Sequence, residues 1–212
     1  MIYLYSGTPG SGKSLDLARI LYNNKDSYFI VNFPTTLQEE HNRHIFYISD
    51  WNKVKPDDLA KFSEKYFKTH KFKEGAITII IDEAQIYFNS REWSKSNRLD
   101  WLRFFTNHRH FGFDIILACQ NSMMLDRQIR NLIEIEVIHR KINNMGAGGV
   151  FVRALFLSPT LFIKIRYYFP LKMKEGHEYF RYKKKYAKIY DSYDKSFFNS
   201  VDCDVRKALE IE

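Results

Sequence analysis

Short apolar runs alternate with amphipathic stretches along most of this chain, a pattern typical of an α/β fold. The predicted strands cover residues 2–5, 28–31, 45–48, 76–81, 113–120 and 133–140. The predicted helices cover residues 15–21, 56–67, 99–108 and 124–132. Because strands that are buried on both faces read as continuous apolar runs, the central sheet is expected to be mainly parallel.

The last third of the chain changes character. A turn at residues 146–149 precedes two runs, 150–157 and 161–169, which are predicted to pair as a C-terminal β-hairpin. In the tail, residues 171–212, lysines and arginines are interleaved with aromatic residues. One interpretation is a short amphipathic helix whose tyrosines pack inward, and the other is a surface that stacks on bases and contacts phosphates. The tyrosines in question are Tyr179, Tyr182, Tyr186 and Tyr190.

Residues 7–14 read GTPGSGKS and match G-x-x-x-x-G-K-[ST], the phosphate-binding loop of P-loop NTPases. A predicted strand precedes the motif and a predicted helix follows it, which is the context that this loop requires. Glycines let successive N–H groups converge on phosphate oxygens at the start of a helix. The alternative is a glycine-rich turn that happens to contain Lys-Ser. The residues assigned to nucleotide binding are Gly7, Thr8, Pro9, Gly10, Ser11, Gly12, Lys13, Ser14 and Leu15.

Two acids follow the apolar run at 76–81, and together with the loop they predict ATP and Mg²⁺ as cofactors. Lys13 is expected to reach the β and γ phosphates, and Ser14 and Asp82 to hold Mg²⁺, which prefers oxygen ligands. Glu83, one position further, is placed to orient or deprotonate the attacking water. The alternative for the two acids is a helix cap after a core strand.

The strand at 113–120 ends in an amide, Gln120. In P-loop ATPases with an additional strand between the loop strand and the acidic strand, a polar residue at this position senses the γ-phosphate, and Gln120 is the candidate. Arg109, before this strand, and Arg127 and Arg130, after it, are candidates for an arginine finger supplied to a neighbouring subunit. Both places are expected to lie near the sheet edge where Gln120 opens, and Arg130 is ranked first, then Arg109. The alternative is that each is an ordinary surface arginine.

Composition narrows the class of protein. An excess of 33 Lys and Arg over 25 Asp and Glu gives a formal charge of +8, which favours polyanionic neighbours. The two cysteines, Cys119 and Cys203, are far apart and are expected to be free thiols in a reducing compartment. Neither a signal peptide nor a run long enough to span a membrane is expected. The chain has no Asn-Lys-x-Asp motif, which disfavours a GTP switch, and Glu83 disfavours a small-molecule kinase because it suits water activation.

Three segments together resemble the zonula occludens toxin-like family, which includes the assembly ATPases of filamentous phages. They are the loop at 7–14, IDEAQ at 81–85 and HRHFGFDIILACQ at 108–120, followed by residues 126–130. The resemblance covers roughly residues 1–140. It implies an ATPase in the host cytoplasm, on the cytoplasmic face of the inner membrane if a spanning helix follows in the full-length protein.

The expected architecture is a P-loop NTPase domain of the additional-strand type at residues 1–170, with a basic and aromatic extension at 171–212. The resemblance implies a Mg²⁺-dependent motor for virion assembly and export that works as a homo-oligomeric ring. Its partners would be phage coat or assembly proteins or phage single-stranded DNA, and membrane attachment would use a segment that this chain does not contain. The alternative is a DNA-translocating or packaging ATPase of a plasmid or mobile element, with the tail as its DNA surface.

Overall fold

The computed structural model describes residues 1–40, 42–89, 98–142, 160–190 and 204–211. Within them, the strands are β1 (Ile2–Ser6), β2 (Tyr28–Val31), β3 (His44–Tyr47), β4 (Ile77–Ile81), β5 (Phe113–Cys119), β6 (Ile135–Lys141), β7 (Leu161–Tyr168) and β8 (Met173–Arg181). The helices are α1 (Lys13–Asn23), α2 (Pro56–Phe67), α3 (Arg98–Asn107), α4 (Arg127–Arg130), α5 (Lys184–Ala187) and α6 (Val205–Ala208). Short 3-10 turns lie at Thr36–Glu39, Trp51–Lys53, Ala84–Ile86 and Ser122–Met124.

The strands of this described part form one sheet in the order β3-β2-β4-β5-β1-β6-β7-β8. Pairing is parallel from β3 to β6 and antiparallel between β6, β7 and β8. The prediction of a mainly parallel sheet is therefore confirmed, and so is the additional strand, because β5 lies between β1 and β4. Since the carboxyl ends of parallel strands meet at one edge, the residues that follow β1, β4 and β5 come together there.

Both faces of the sheet are buried, which explains the continuous apolar runs. Successive residues of β4 point to opposite faces: Ile79 and Ile81 join a core with α2 and α3, whereas Ile80 joins a core with α1. The α1 side also includes Tyr186 and Ile189 from the tail. The tail is thus part of the packing that holds the loop-bearing helix on the sheet.

The described part of the chain contains a C-terminal hairpin, formed by β7 and β8, and a short helix, α5, in the tail. The pairing expected between residues 150–157 and 161–169 stays a prediction, because residues 150–157 lie outside the described residues. The helix expected through the tail tyrosines is wrong up to Arg181, because the β7 ladder recruits Met173–Arg181 as an edge strand. The expected boundary after residue 170 falls in the turn between β7 and β8, so chain from both sides of it shares the sheet.

One further expectation differs in detail. The helix expected at 124–132 is divided into a 3-10 turn and the short α4, because the side chain of Asp126 caps α4 by accepting from the backbone N–H of Gln128 at 2.8 Å.

Cys119 is a buried free thiol, as expected, and burial raises its pKa to about 12. Cys203 and the turn at 146–149 lie outside the described residues. No helix in the described part of the chain is long and apolar enough to cross a membrane.

Candidate functional site

The loop between β1 and α1 has a backbone that only glycine allows at two positions. A Cβ at Gly7 would lie 2.5 Å from the carbonyl oxygen of His139, and a Cβ at Gly12 would lie 2.7 Å from a ring carbon of Phe162. Gly12 also has a φ of 100°. It is the N-cap residue of α1 and, because glycine has no side chain, it cannot hydrogen-bond the first N–H groups of the helix. The first N–H groups of α1 are therefore left open toward the loop, which is the arrangement that binds phosphate oxygens.

The polar groups inside the loop fit a phosphate ligand. The Lys13 ammonium is buried and donates to the carbonyl oxygens of Gly7 at 2.7 Å and Thr8 at 3.5 Å, so it is held at the mouth of the loop. The buried hydroxyl of Ser11 has no hydrogen-bond partner among the described residues. An uncapped helix start, an orphaned hydroxyl and a held ammonium together provide donors and positive charge for an anion.

The residues after β4 and the start of α1 form a site with oxygen ligands. The Ser14 hydroxyl donates to Asp82 Oδ2 at 3.3 Å, and the Glu83 N–H donates to Asp82 Oδ1 at 2.9 Å. Asp82 is almost fully buried, and this burial raises the pKa of its carboxyl group. A hydroxyl and a carboxylate at this separation suit Mg²⁺, whose charge would favour the ionised form of Asp82.

A side chain from the neighbouring strand fixes the backbone of Asp82. The Asn32 amide donates to the carbonyl oxygen of Asp82 at 2.9 Å, and its own oxygen accepts from the Asp82 N–H at 2.7 Å. Asn32 follows β2 directly, and β2 pairs with β4. In the sequence, Asn32 is only a polar residue that follows the second predicted strand.

Glu83 adopts an unusual backbone conformation. Its φ is 50°, in the left-handed region, and it begins the 3-10 turn Ala84–Ile86. Such a conformation costs roughly 1–2 kcal/mol for a residue with a side chain. Its half-buried carboxylate accepts a hydrogen bond from the Gln85 amide. Strain of this kind persists where the surrounding structure fixes it, and it is concentrated at functional positions.

Gln120 lies beside the loop, at the end of β5. Its carbonyl oxygen accepts from the Gly7 N–H at 3.3 Å, and its side chain is exposed. The structure thus brings the candidate nucleotide-binding loop, the two acids and the candidate sensor to one edge of the sheet.

The candidate arginines are divided between the two ends of the sheet. Arg109 precedes β5 and pairs with Glu134, so the seven residues of β5, about 20 Å of strand, separate it from Gln120. The expectation that Arg109 lies near the edge where Gln120 opens is wrong. Arg130 does lie at that edge: its guanidinium donates to the carbonyl oxygen of Ser122 at 3.5 Å. Arg127 is exposed on α4.

Sequence reasoning missed a buried ionic network next to the loop. Asp16 on α1 is fully buried and contacts His139 Nε2 at 3.1 Å, Lys164 Nζ at 3.4 Å and the Arg19 guanidinium at 2.9 Å. Burial alone would raise the pKa of Asp16, but the His139 hydrogen bond and the charges of Lys164 and Arg19 lower it. The network therefore ties the loop-bearing helix to β6 and β7.

Asp16→Asn is expected to lower the free energy of unfolding at pH 7 by about 3 kcal/mol, because it leaves buried cations without their carboxylate. The folded-state pKa of Asp16 is depressed, so its contribution is present above the unfolded pKa, ordinarily 3.8, and is lost as the pH falls through the folded pKa. The loss should therefore shrink at acid pH. Urea unfolding at several pH values measures it. Asp100→Asn, which removes an exposed pair with Arg103, is the control and should change little.

The tail reaches the candidate metal site through Tyr190. Its hydroxyl donates to Asp82 Oδ2 at 2.9 Å, and its ring stacks on Phe33 with centroids 4.2 Å apart. Burial and then the nearby charge of Asp82 raise the pKa of Tyr190, so the phenol keeps the proton that it donates. In the sequence this tyrosine was only one of several in the tail.

Comparison with known proteins adds a family and a fold. A family model described as zonular occludens toxin (Zot) matches residues 1–196. The gene 1 proteins of Enterobacteria phage I2-2 and Salmonella phage IKe are each 25% identical over 162 residues, which is 70% of this chain and 43% of theirs. The chain thus matches less than half the length of these relatives.

Two solved structures resemble the described fold. The N-terminal domain of zonular occludens toxin from Neisseria meningitidis aligns with a TM-score of 0.54 and 20% identity, over 90% of this chain and 98% of that one. B204, the DNA-packaging ATPase of Sulfolobus Turreted Icosahedral Virus, aligns with a TM-score of 0.53 and 17% identity, over 84% and 96%. At these identities the likeness establishes the P-loop NTPase fold.

Proposed function

Because this chain belongs to the zonular occludens toxin (Zot) family, we propose that it is a Mg²⁺-dependent ATPase that drives filamentous-phage-type virion assembly and export at the host inner membrane. One observation carries the proposal: the Ser14 hydroxyl lies 3.3 Å from Asp82 Oδ2. This contact joins the start of α1 to the residue after β4, so that the groups that would bind phosphate and those that would bind magnesium lie in one site.

Each part of the site has a role in this proposal. Lys13 and the N–H groups at the start of α1 would hold the phosphates, and Ser14 and Asp82 would hold Mg²⁺. Bound magnesium would neutralise charge on the phosphate oxygens. Glu83 would orient or deprotonate the water that attacks the γ-phosphate, and the Gln120 side chain would sense whether that phosphate is present. Leu15 and the rest of the loop would complete the nucleotide contacts.

Glu83→Gln tests the hydrolytic part of the proposal. The amide keeps size and hydrogen bonding but cannot take a proton, so ATP should still bind while turnover falls by about 10²-fold or more. Phosphate release and titration with a fluorescent ATP analogue measure the two quantities. Glu74→Gln, at an exposed glutamate before β4, should behave like the wild type. Wild-type turnover in Glu83→Gln would mean that another group handles the water.

The motor would work as a homo-oligomeric ring on phage coat or assembly proteins, or on phage single-stranded DNA. It would act at the cytoplasmic face of the host inner membrane, attached through a segment outside this chain. Support comes from the gene 1 proteins of phages I2-2 and IKe among its relatives. Co-purification of the full-length protein with membranes and phage assembly proteins tests this.

Exposed lysines in the tail favour DNA translocation as the second candidate function. Lys183, Lys184 and Lys188 are exposed around α5, where they would contact a phosphate backbone. Fluorescence anisotropy with labelled single-stranded DNA at several salt concentrations separates the two functions. Affinity that falls steeply with salt would favour a motor that handles DNA, and no binding would favour one that handles protein.

A further inference from the structure

We propose that the cavity between the loop and the C-terminal aromatic residues is the subsite for the purine base of the nucleotide, and that the base stacks on Tyr182. The proposal rests on the proposed function, since the base is joined to the phosphates that Lys13 would hold. It concerns residues that neither the loop motif nor the two acids include.

The cavity has two walls of different chemistry. It measures about 360 Å³. Residues 10–15, from the loop and the first turn of α1, form one wall, and the other contains Phe162, Tyr182, Tyr186 and Tyr190. Phosphates need N–H groups and cations, which the first wall supplies. The aromatic wall instead suits a flat π system with a polar edge.

Three of the four rings in that wall are already engaged. Phe162 packs against Gly12 and stacks on Phe180 with centroids 5.3 Å apart. Tyr186 is buried and meets Tyr22 edge-on at 5.4 Å. Tyr190 stacks on Phe33 and donates to Asp82, as described above. These rings shape the cavity but have little free surface for a ligand.

Tyr182 has the free surface. It is 50% exposed, and no described residue makes a ring contact with it. Its backbone is nevertheless ordered, because the Tyr182 N–H donates to the carbonyl oxygen of Thr160 at 3.2 Å. A large aromatic side chain on an ordered backbone, half exposed at the edge of a cavity, offers a surface on which a base can stack.

The order of groups along the cavity agrees with the direction of a bound nucleotide. Tyr190 marks the end beside Asp82 and Glu83, where magnesium and the γ-phosphate would lie. Tyr182 follows β8, on the opposite side of the sheet from β4, with β5, β1, β6 and β7 between them. A nucleotide whose γ-phosphate faces Glu83 would extend its base away from Asp82, toward the side of the cavity that Tyr182 forms.

The test compares a ligand that has a base with one that lacks it. Tyr182→Ala should weaken ATP binding about 10-fold in the presence of Mg²⁺, because stacking of a base on an aromatic ring is lost. Its affinity for inorganic tripolyphosphate should not change. Tyr182→Phe keeps the ring and should bind ATP like the wild type. Isothermal titration calorimetry with both ligands gives these values, and thermal unfolding checks that each variant is folded.

A matched control and the Lys13→Ala variant make the outcomes separable. Tyr168→Ala removes a tyrosine of similar exposure, 39%, at the far end of β7 and should leave both affinities unchanged. Lys13→Ala should weaken both ligands; if it weakens neither, the proposed function fails whatever Tyr182 does. If Lys13→Ala behaves as expected, the base subsite is overturned when Tyr182→Ala binds ATP like the wild type or loses affinity equally for ATP and tripolyphosphate.

Discussion

Lys13→Ala should reduce ATP affinity by about 10³-fold, because it removes the positive charge aimed at the β and γ phosphates, and two charge-assisted hydrogen bonds with it. In the structure the ammonium is already directed into the loop by the carbonyl oxygens of Gly7 and Thr8. Titration with a fluorescent ATP analogue measures the loss.

The control for this variant is Lys25→Ala, which removes an exposed lysine just beyond the end of α1. It alters the net charge by the same amount, so a general electrostatic effect would appear in both variants. Circular dichroism and thermal unfolding establish that each is folded. Unchanged affinity in Lys13→Ala would remove the basis for placing the nucleotide in this loop.

Arg130→Ala should bind ATP normally and yet lose about 10³-fold in turnover, even in concentrated solution, if Arg130 reaches the active site of a neighbouring subunit. Within one subunit, Lys13, the N–H groups of the loop and bound magnesium would face the charge of the transition state, and a neighbour's arginine would add to this. The same mechanism requires the specific activity of the wild type to rise with protein concentration. Steady-state phosphate release over a range of concentrations measures both effects.

Mixing two inactive variants gives the sharper form of this experiment. In this mechanism Lys13→Ala would lack an intact pocket and Arg130→Ala would lack the finger, so mixed rings would contain interfaces where an intact pocket meets an intact finger. Turnover should return in the mixture. Arg109→Ala is the matched control, because Arg109 pairs with Glu134 at the opposite end of β5. Activity that is independent of concentration, with no recovery on mixing, would exclude a finger supplied by Arg130.

The parts of the site that could be predicted are those that a local pattern encodes. The segment 7–14 requires a strand before it and a helix after it, and the structure contains β1 and α1 there. Asp82 and Gln120 could be placed because they follow apolar runs, and the ends of neighbouring parallel strands meet. The position of Glu83 beside Asp82 could also be predicted, but its left-handed backbone could not, since nothing in Asp-Glu-Ala-Gln signals a positive φ.

The parts that could not be predicted depend on long-range contacts. Tyr190 meets Asp82 across 108 positions, and His139 meets Asp16 across 123. No spacing rule connects residues so far apart. The sequence therefore does not distinguish Asp16 from any other acid near the start of a helix. The helix predicted through the tail tyrosines is wrong for a related reason. Met173–Arg181 has the composition of a helix surface, but it forms a strand because it pairs with the edge of β7.

The pair of hydrogen bonds between Asn32 and Asp82 determines when the site loses its conformational freedom. The Asn32 amide acts as one more rung of the ladder between β2 and β4, beyond the last residue of each strand. Ordering one residue's backbone costs about 1–2 kcal/mol. Here the Asp82 backbone is ordered when the chain folds. The binding of a ligand at Asp82 therefore does not carry this entropy cost.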